Sequence, residues 1–370
     1  MPALVDRALR LVLATTRRKA KPRGILLVTA RGPADMVFLS AVLPRFMRLA
    51  EDFEDVTLLM RSDAVGMSFL FPRSLRIMRV EFRRLTSFAY RWQVFRKLYL
   101  ANYRLVVALD YNRAPDPDEA LIAAAQAPQV AAMKPAPSGA PAKLIEAALS
   151  KYSKVFDPGD PNQDKVVRWS RFADFLSGRK QPPALALLPE VRLPEAMPFE
   201  IPTVVVFPFS AVRRRQLQPA LWETILNTLP RDWQVRVAAH RADIERNPDF
   251  KPILERSRVT VDTSGFDHLA SVLRGARMVI GADTAGAHLS ILLGVPTLVL
   301  ASAAYVGAGV PYDEEITPPN AHFLYVPMEC QGCMGRCPFE PIQGMLPCVA
   351  RINPETVLEM VADMIARGGY

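Results

Sequence analysis

The sequence lacks any apolar run of the roughly 20 residues a helix needs to cross a bilayer, so no membrane-spanning segment is expected. Cysteine is absent before Cys330, and all four cysteines fall between Cys330 and Cys348. That excludes the disulfide framework spread across a small secreted domain and fits a reducing, cytoplasmic compartment. Export is not expected either, since a secretory leader places its charge before the apolar stretch, whereas most of the basic residues here follow it. No glycine-proline low-complexity block dominates, and with 50% hydrophobic and 22% charged residues the chain can bury enough apolar surface to fold, which excludes disorder as the bulk state. Acidic residues are the scarcer charge, 37 against 46 basic, and the formal charge of +9 favours an anionic partner: nucleic acid, a phospholipid surface or a phosphorylated substrate.

Part of that excess is local. Arg7, Arg10, Arg17, Arg18, Lys19, Lys21 and Arg23 are opposed only by Asp6, which sets residues 1–23 apart as a basic N-terminal segment. Leu4, Ala8, Leu11, Val12 and Leu13 fit one helical face; an amphipathic helix lying on a surface, a solvated helix and a frayed end all satisfy this pattern.

A chain of 370 residues exceeds what one hydrophobic core ordinarily serves, so two domains are expected. GILLVT (24–29) reads as a strand, RGPAD as a turn and FLSAVLPRFMRLA as a helix. VTLLM (56–60) and YRLVVALDYN (103–112) read as further strands, and such alternation means a parallel, doubly wound sheet over 24–180. Prolines between Ala114 and Ala142, PAPSGAP above all, point to a loop there, and helical spacing returns from Lys165 to Gly178. Residues 181–202 carry six prolines and read as an extended linker. A second α/β series then runs from TVVVFPFS (203–210) through PALWETILNTL, WQVRVAAH, HLASVLRGA and MVIGAD to GVPTLVLAS, forming a domain over 203–352, with a closing helix over 353–370 capped by Asn353. Two open sheets of this kind are expected to bind ligands in a cleft at the carboxyl ends of their strands, where Asp35, Asp110, Ser210, His240 and Asp283 fall.

Chemistry concentrates in RMVIGADTAGAHLS (277–290). A strand leading into a helix leaves backbone N–H groups of Thr284, Ala285, Gly286 and Ala287 available at the helix start, where small side chains let a pyrophosphate approach. Asp283 would repel phosphate and suits sugar hydroxyls; an ordinary Asp-Thr helix cap is the plain alternative. His288 either orients the turn, contacts phosphate, or is a buried imidazole satisfied by backbone.

ADTAGAHLSILLGVPTLVL resembles the donor-site signature of glycosyltransferase family 9, the ADP-heptose:lipopolysaccharide heptosyltransferases. ILLVTARGPADMVFLSAVLPRF, VVVFPFSAVRRRQLQPALWETI and CQGCMGRCPFEPIQGMLPCVARINPETV resemble its first strand and turn, its phosphate loop and its C-terminal cysteine segment, so the resemblance covers nearly the whole chain after about residue 23. It implies a GT-B fold, two Rossmann-like domains facing a central cleft, with metal-independent inversion at the anomeric carbon of a sugar held as ADP-heptose or another nucleotide sugar. It also implies a phosphorylated glycolipid or lipopolysaccharide-core acceptor, met on the cytoplasmic face of the inner membrane. By the same resemblance Asp35 matches the general base, Asp283, Thr284 and His288 the donor turn, and Ser210 and Arg215 the hydroxyl and cation beside the diphosphate. Such roles are chemically coherent: a carboxylate activates the acceptor hydroxyl, and cations with a helix dipole stabilise the leaving diphosphate. Asp243 and Glu245 follow a strand where carboxylates commonly accept ribose hydroxyls, and Ser264 and Phe266 are expected to border the base. Asp110 and Arg113 either line the acceptor side or serve as a cap and a salt bridge. Departures from the pattern are Ala34 and Ala285 in place of glycines, and Phe209, which either crowds the phosphate loop or stacks on a ligand.

Cys330, Cys333, Cys337 and Cys348 cluster as a structural zinc or iron site would, with disulfide or redox chemistry and unligated thiols as the alternatives. No cofactor is expected in catalysis. The family resemblance also keeps open a protein acceptor, as for an autotransporter-type heptosyltransferase, and the altered turns keep open a non-catalytic nucleotide-sugar-binding protein. A nucleic-acid partner is not expected, because the cysteine segment lacks interleaved aromatic and basic residues.

Overall fold

The computed structural model describes residues 3–16, 18, 20–135, 146–147, 149–150, 152–160, 162–185 and 193–367. The chain divides into two compact units, one comprising residues 1–161 and 168–183, the other residues 162–167 and 184–370. The basic N-terminal segment therefore counts with the first unit and the closing helix with the second, while the short stretch 162–167 joins the second unit ahead of the proline-rich stretch. The expected loop at PAPSGAP and the middle of the expected linker, 186–192, lie outside the described residues.

Unit 1 is a six-stranded parallel sheet of β1 (Ile25–Val28), β2 (Val56–Arg61), β3 (Arg76–Val80), β4 (Leu105–Ala108), β5 (Gln129–Met133) and β6 (Lys154–Phe156), ordered β3-β2-β1-β4-β5-β6. Its central pair reads ILLV and LVVA and is buried throughout, as parallel strands covered on both faces must be. Ile25 registers with Val56 on one side and Leu105 on the other. Crossovers are supplied by α2 (Pro33–Met47), α3 (Phe88–Ala101) and α4 (Ala120–Ala125), while α1 (Ala3–Ala14) precedes β1 and α5 (Lys165–Ser177) follows β6. The expected loop over 114–142 is corrected here, because it holds α4 and β5. Its prolines at 115, 117 and 128 stand outside both, and the run LIAAA is almost wholly buried, so packing outweighs the local breakers.

α1 forms, but not with the expected apolar face intact. Leu9 and Leu13 turn inward together with Asp6, which is 4% exposed, and Leu4, Leu11 and Val12 turn outward. The cause is a buried ion pair. Arg91 of α3 donates Nε to Asp6 Oδ1 at 2.7 Å and Nη2 to Oδ2 at 2.5 Å, and Gln126 donates to the Arg10 carbonyl at 3.0 Å. Removing either partner leaves a buried charge unpaired at a cost of about 3–5 kcal/mol, the same order as the burial forgone by two or three outward aliphatic side chains.

Unit 2 repeats the architecture with β7 (Thr203–Phe207), β8 (Gln234–Ala238), β9 (Val259–Asp262), β10 (Met278–Ala282), β11 (Thr297–Leu300) and β12 (Ala321–Leu324), ordered β12-β11-β10-β7-β8-β9 and parallel throughout. Its helices include α6 (Pro219–Thr228), α7 (Arg241–Arg246), α8 (Phe266–Gly275), α9 (Ala285–Leu292) and α10 (Pro354–Ala366). The cap predicted for α10 is present, Asn353 accepting from the Glu355 N–H at 2.9 Å, and Val357, Val361 and Met364 seat the helix in the core that Trp222 and Phe250 fill. Phe209 belongs to that core, its ring edge-on to Phe250 at 4.8 Å, so it neither crowds a loop nor stacks on a ligand.

Candidate functional site

In an open doubly wound sheet the crevice lies where strand order reverses, because the loops on either side depart to opposite faces. The reversal falls between β1 and β4 in unit 1 and between β7 and β10 in unit 2, and the sequence-predicted residues concentrate at these two places.

At the β1–β4 reversal the chain leaves β1 through Thr29, Ala30 and Arg31 and enters α2 at Pro33, with Gly32 as an N-cap that offers no side chain. Asp35 stands in the first turn of α2, half-buried, where the helix dipole favours its charge. Asp110 does not open outward as an acceptor ligand. It is buried, accepts from Thr29 Oγ1 at 2.9 Å and from the Ala30 N–H at 2.7 Å, and lies 3.6 Å from Arg31 Nε. Burial pushes its carboxyl up against the pull of Arg31 and those two bonds, and the charge of Asp35 pushes the same way. Asp110 thus ties down the loop that presents Asp35. Arg113 is likewise internal, bonded to Glu119 at 2.8 Å, to the Asp110 carbonyl at 2.7 Å and to the Met133 carbonyl at 3.0 Å, which is the salt-bridge alternative. Asp118 was not anticipated: burial raises it to about 6, opposed by the Ala114 N–H and reinforced by Asp110.

At the β7–β10 reversal, Asp283 directly follows β10 and Thr284 caps α9. The Thr284 hydroxyl accepts from the Ala287 N–H at 3.4 Å, and the Thr284 carbonyl from the His288 N–H at 3.1 Å. Of the four N–H groups expected to be available, Ala287 is therefore spent on the cap, while Ala285 and Gly286 have no helical partner. Asp283 is fully engaged by protein, its Oδ2 taking Arg215 Nη1 at 3.1 Å and its Oδ1 meeting His288 Nε2 at 2.9 Å. Burial raises this carboxyl, but the bond to His288, the charge of that ring and Arg215 together bring it below the usual range. His288 is 2% exposed, and its Nδ1 lies 2.7 Å from the Tyr312 hydroxyl, so it orients the turn from behind.

Arg215 also lies over the Tyr305 ring at 4.8 Å, and its buried Nε has no hydrogen-bond partner among the described residues. Ser210 holds the base of the same loop, accepting from the Val212 N–H at 3.3 Å. Asp243 is paired with Arg246, Glu245 is exposed beside it, and Ser264 donates its N–H to Asp262 at 2.9 Å next to Phe266; these four stand at the carboxyl ends of β8 and β9, beyond the reversal. Tyr305, Tyr312 and Lys165, whose charge reaches Asp283, are site residues sequence reasoning missed. None follows a strand end in a way the sequence pattern marks.

The thiols of Cys330, Cys333, Cys337 and Cys348 feel one another, and burial followed by the neighbouring Cys337 thiol pushes Cys330 up to about 11. They do not fit a ligand set: no group of three or more His, Cys, Asp or Glu side chains among the described residues is arranged to hold a metal ion, and Cys348 turns to the backbone of Ala303 and Ala304.

No family model matches the chain, and no curated protein matches it. Solved structures do. Escherichia coli heptosyltransferase WaaC with ADP superposes with a TM-score of 0.67 at 14% identity, covering 92% of this chain and 99% of that one. E. coli ADP-heptose lipopolysaccharide heptosyltransferase II gives a TM-score of 0.64 at 13% identity over 94% and 100% of the two chains. The dodecameric iron-containing heptosyltransferase TibC, in complex with ADP-D-beta-D-heptose, gives 0.55 at 14% identity over 95% and 78%. The fold is the two-domain α/β architecture, GT-B, that these proteins share.

Proposed function

We propose that the chain is an inverting glycosyltransferase that moves a heptose or related sugar from a nucleotide diphosphate, ADP-heptose first among candidates, to a phosphorylated glycolipid acceptor on the cytoplasmic face of the inner membrane. The observation that carries this is the β10–α9 turn, where the N–H groups of Ala285 and Gly286 have no helical partner and Asp283, just ahead of them, holds the half-buried cation Arg215. A diphosphate satisfies both N–H groups and meets the part-exposed Arg215 guanidinium. Asp35 takes the proton of the acceptor hydroxyl, the hydroxyl oxygen bonds to the anomeric carbon, and the bond from that carbon to the diphosphate oxygen breaks with its electron pair leaving on the diphosphate. Arg215, Lys165 and the α9 dipole stabilise the charge that develops, which is the work a divalent cation does in other transferases. Asp283 and His288 hold Arg215 and the turn in place. WaaC and TibC, solved with ADP and with ADP-D-beta-D-heptose, support an ADP-sugar donor. The four-cysteine segment, structural in this proposal, together with the likeness to TibC supports a protein acceptor as the second reading.

A thermal-shift panel of ADP-, GDP-, UDP- and dTDP-sugars identifies the nucleotide, since a ligand that binds only the folded state raises apparent stability. Transfer from ADP-heptose to a truncated core glycolipid is then expected from wild type and lost in Asp35→Ala with donor binding intact. Unchanged transfer by Asp35→Ala would overturn the base assignment, and binding without transfer or hydrolysis of any sugar would make the protein a nucleotide-sugar binder.

A further inference from the structure

We infer that the outer face of α1 docks on an anionic lipid surface. A helix on a water-facing flank normally turns its apolar side inward and its charges outward. α1 does the reverse at its most telling positions: Asp6 is locked inward on Arg91, and Leu4, Leu11 and Val12 face out at 77%, 62% and 56% exposure. The helix is not a frayed end, because Leu9 and Leu13 enter the unit 1 core, Gln126 and Tyr99 bond the carbonyls of Arg10 and Thr16, and Arg18 stacks on Tyr99. Its leucines are therefore held outward rather than sampled there.

Charge identifies the occupant. Arg7 is exposed on α1, and Arg96 and Lys97 are exposed on α3, the helix on which α1 lies. Neither helix carries an exposed carboxylate, since Asp6 is buried and α3 contains no acidic residue. A second copy joined through the same face would set these cations against themselves. An anionic bilayer instead accepts the leucines at its headgroup boundary and the cations at its phosphates. This deepens the glycolipid arm of the proposed function by bringing unit 1 to the membrane that holds such an acceptor, and it needs no assumption about the donor.

The test uses the full chain with vesicles of phosphatidylcholine, alone and mixed with phosphatidylglycerol. Binding is expected only to the mixed vesicles and should weaken as salt rises. Leu4→Ser/Leu11→Ser is expected to lower it about tenfold or more through lost insertion. Arg7→Glu/Arg96→Glu/Lys97→Glu should lower it as far and flatten the salt dependence, while both variants keep the wild-type melting temperature and nucleotide-sugar response. Absence of wild-type binding to the mixed vesicles, or equal binding by the leucine variant, overturns the assignment. So does a concentration-dependent dimer in sedimentation that the leucine variant abolishes, which would give the face to a second copy. Failure of sugar transfer with vesicle binding intact overturns the proposed activity and leaves this face standing.

Discussion

Replacing Gly286 by alanine tests whether the donor turn is as tightly founded as its geometry indicates. In an open helix the change would stabilise, since alanine exceeds glycine by about 1 kcal/mol in helix propensity. Here a Cβ at position 286 would stand 2.2 Å from Phe207 Cε1, 2.4 Å from Cζ and 2.8 Å from Cδ1. The ring has little retreat. Phe207 ends β7 in a buried position, and a Cβ at Gly281, across the β7–β10 pair, would already be 3.1 Å from Phe207 Cβ. Overpacking of this kind costs about 1–3 kcal/mol or more, which outweighs the propensity gain and leaves a net loss of about 1–2 kcal/mol. For a unit of this size that lowers Tm by about 2–8 °C. Relief requires the first turn of α9 to lift away from the ring, carrying the Ala285 and Gly286 N–H groups with it. ADP-sugar affinity should then fall about tenfold, since bonds to a charged acceptor contribute about 1.5–3 kcal/mol each. Thermal denaturation with a donor titration reads both quantities, and Phe207→Leu in the Gly286→Ala background should recover much of each. A Gly286→Ala protein with raised Tm and unchanged donor affinity would refute the reasoning.

Asp283→Asn leaves Arg215 and His288 without their shared carboxylate and should cost about 1–3 kcal/mol at neutral pH. Because the folded-state pKa of Asp283 is depressed, its contribution is present above the ordinary 3.8 and lost as pH falls through the folded value, so wild type and variant should converge in acid melts; a constant difference would contradict the ion pair. Asp118 has the opposite sign. A carboxyl raised from 3.8 to about 6 contributes stability that is lost as pH rises through about 6, so Asp118→Asn should exceed wild type by up to about 3 kcal/mol in urea unfolding at pH 8 and match it near pH 4. Asp110→Ala frees the loop from Thr29 to Arg31 and should lower kcat about a hundredfold while the ADP-sugar melting shift, read in unit 2, stays at the wild-type value; full activity would remove Asp110 as a positioning residue.

These perturbations separate what the sequence announces from what only packing decides. β1, β4, β7 and β10 were legible because they are continuous apolar runs, and the residues just after them were legible as site candidates because strand ends at an order reversal face the crevice. β5 and α4 were hidden by nearby prolines, and β3 and β9 by the polar positions an edge or near-edge strand tolerates. At the site, position was readable and partnership was not. Asp283 and Arg215 were singled out for separate duties, a sugar and a diphosphate, yet they form one ion pair across 68 residues of sequence, with Tyr312 closing the chain behind His288. The same limit governs α1. Periodicity shows which residues share a face but not which face docks, and the choice fell to Asp6 and Arg91, 85 residues apart. With Arg91 buried, leaving it without Asp6 costs about 3–5 kcal/mol, which fixes the face of this twelve-residue helix that turns inward. The pairing of Asp283 with Arg215 and the outward leucines of α1 therefore share one physical origin, a long-range ion pair that local pattern does not show: one ties Arg215 to the start of α9, and the other leaves an apolar, basic flank on α1.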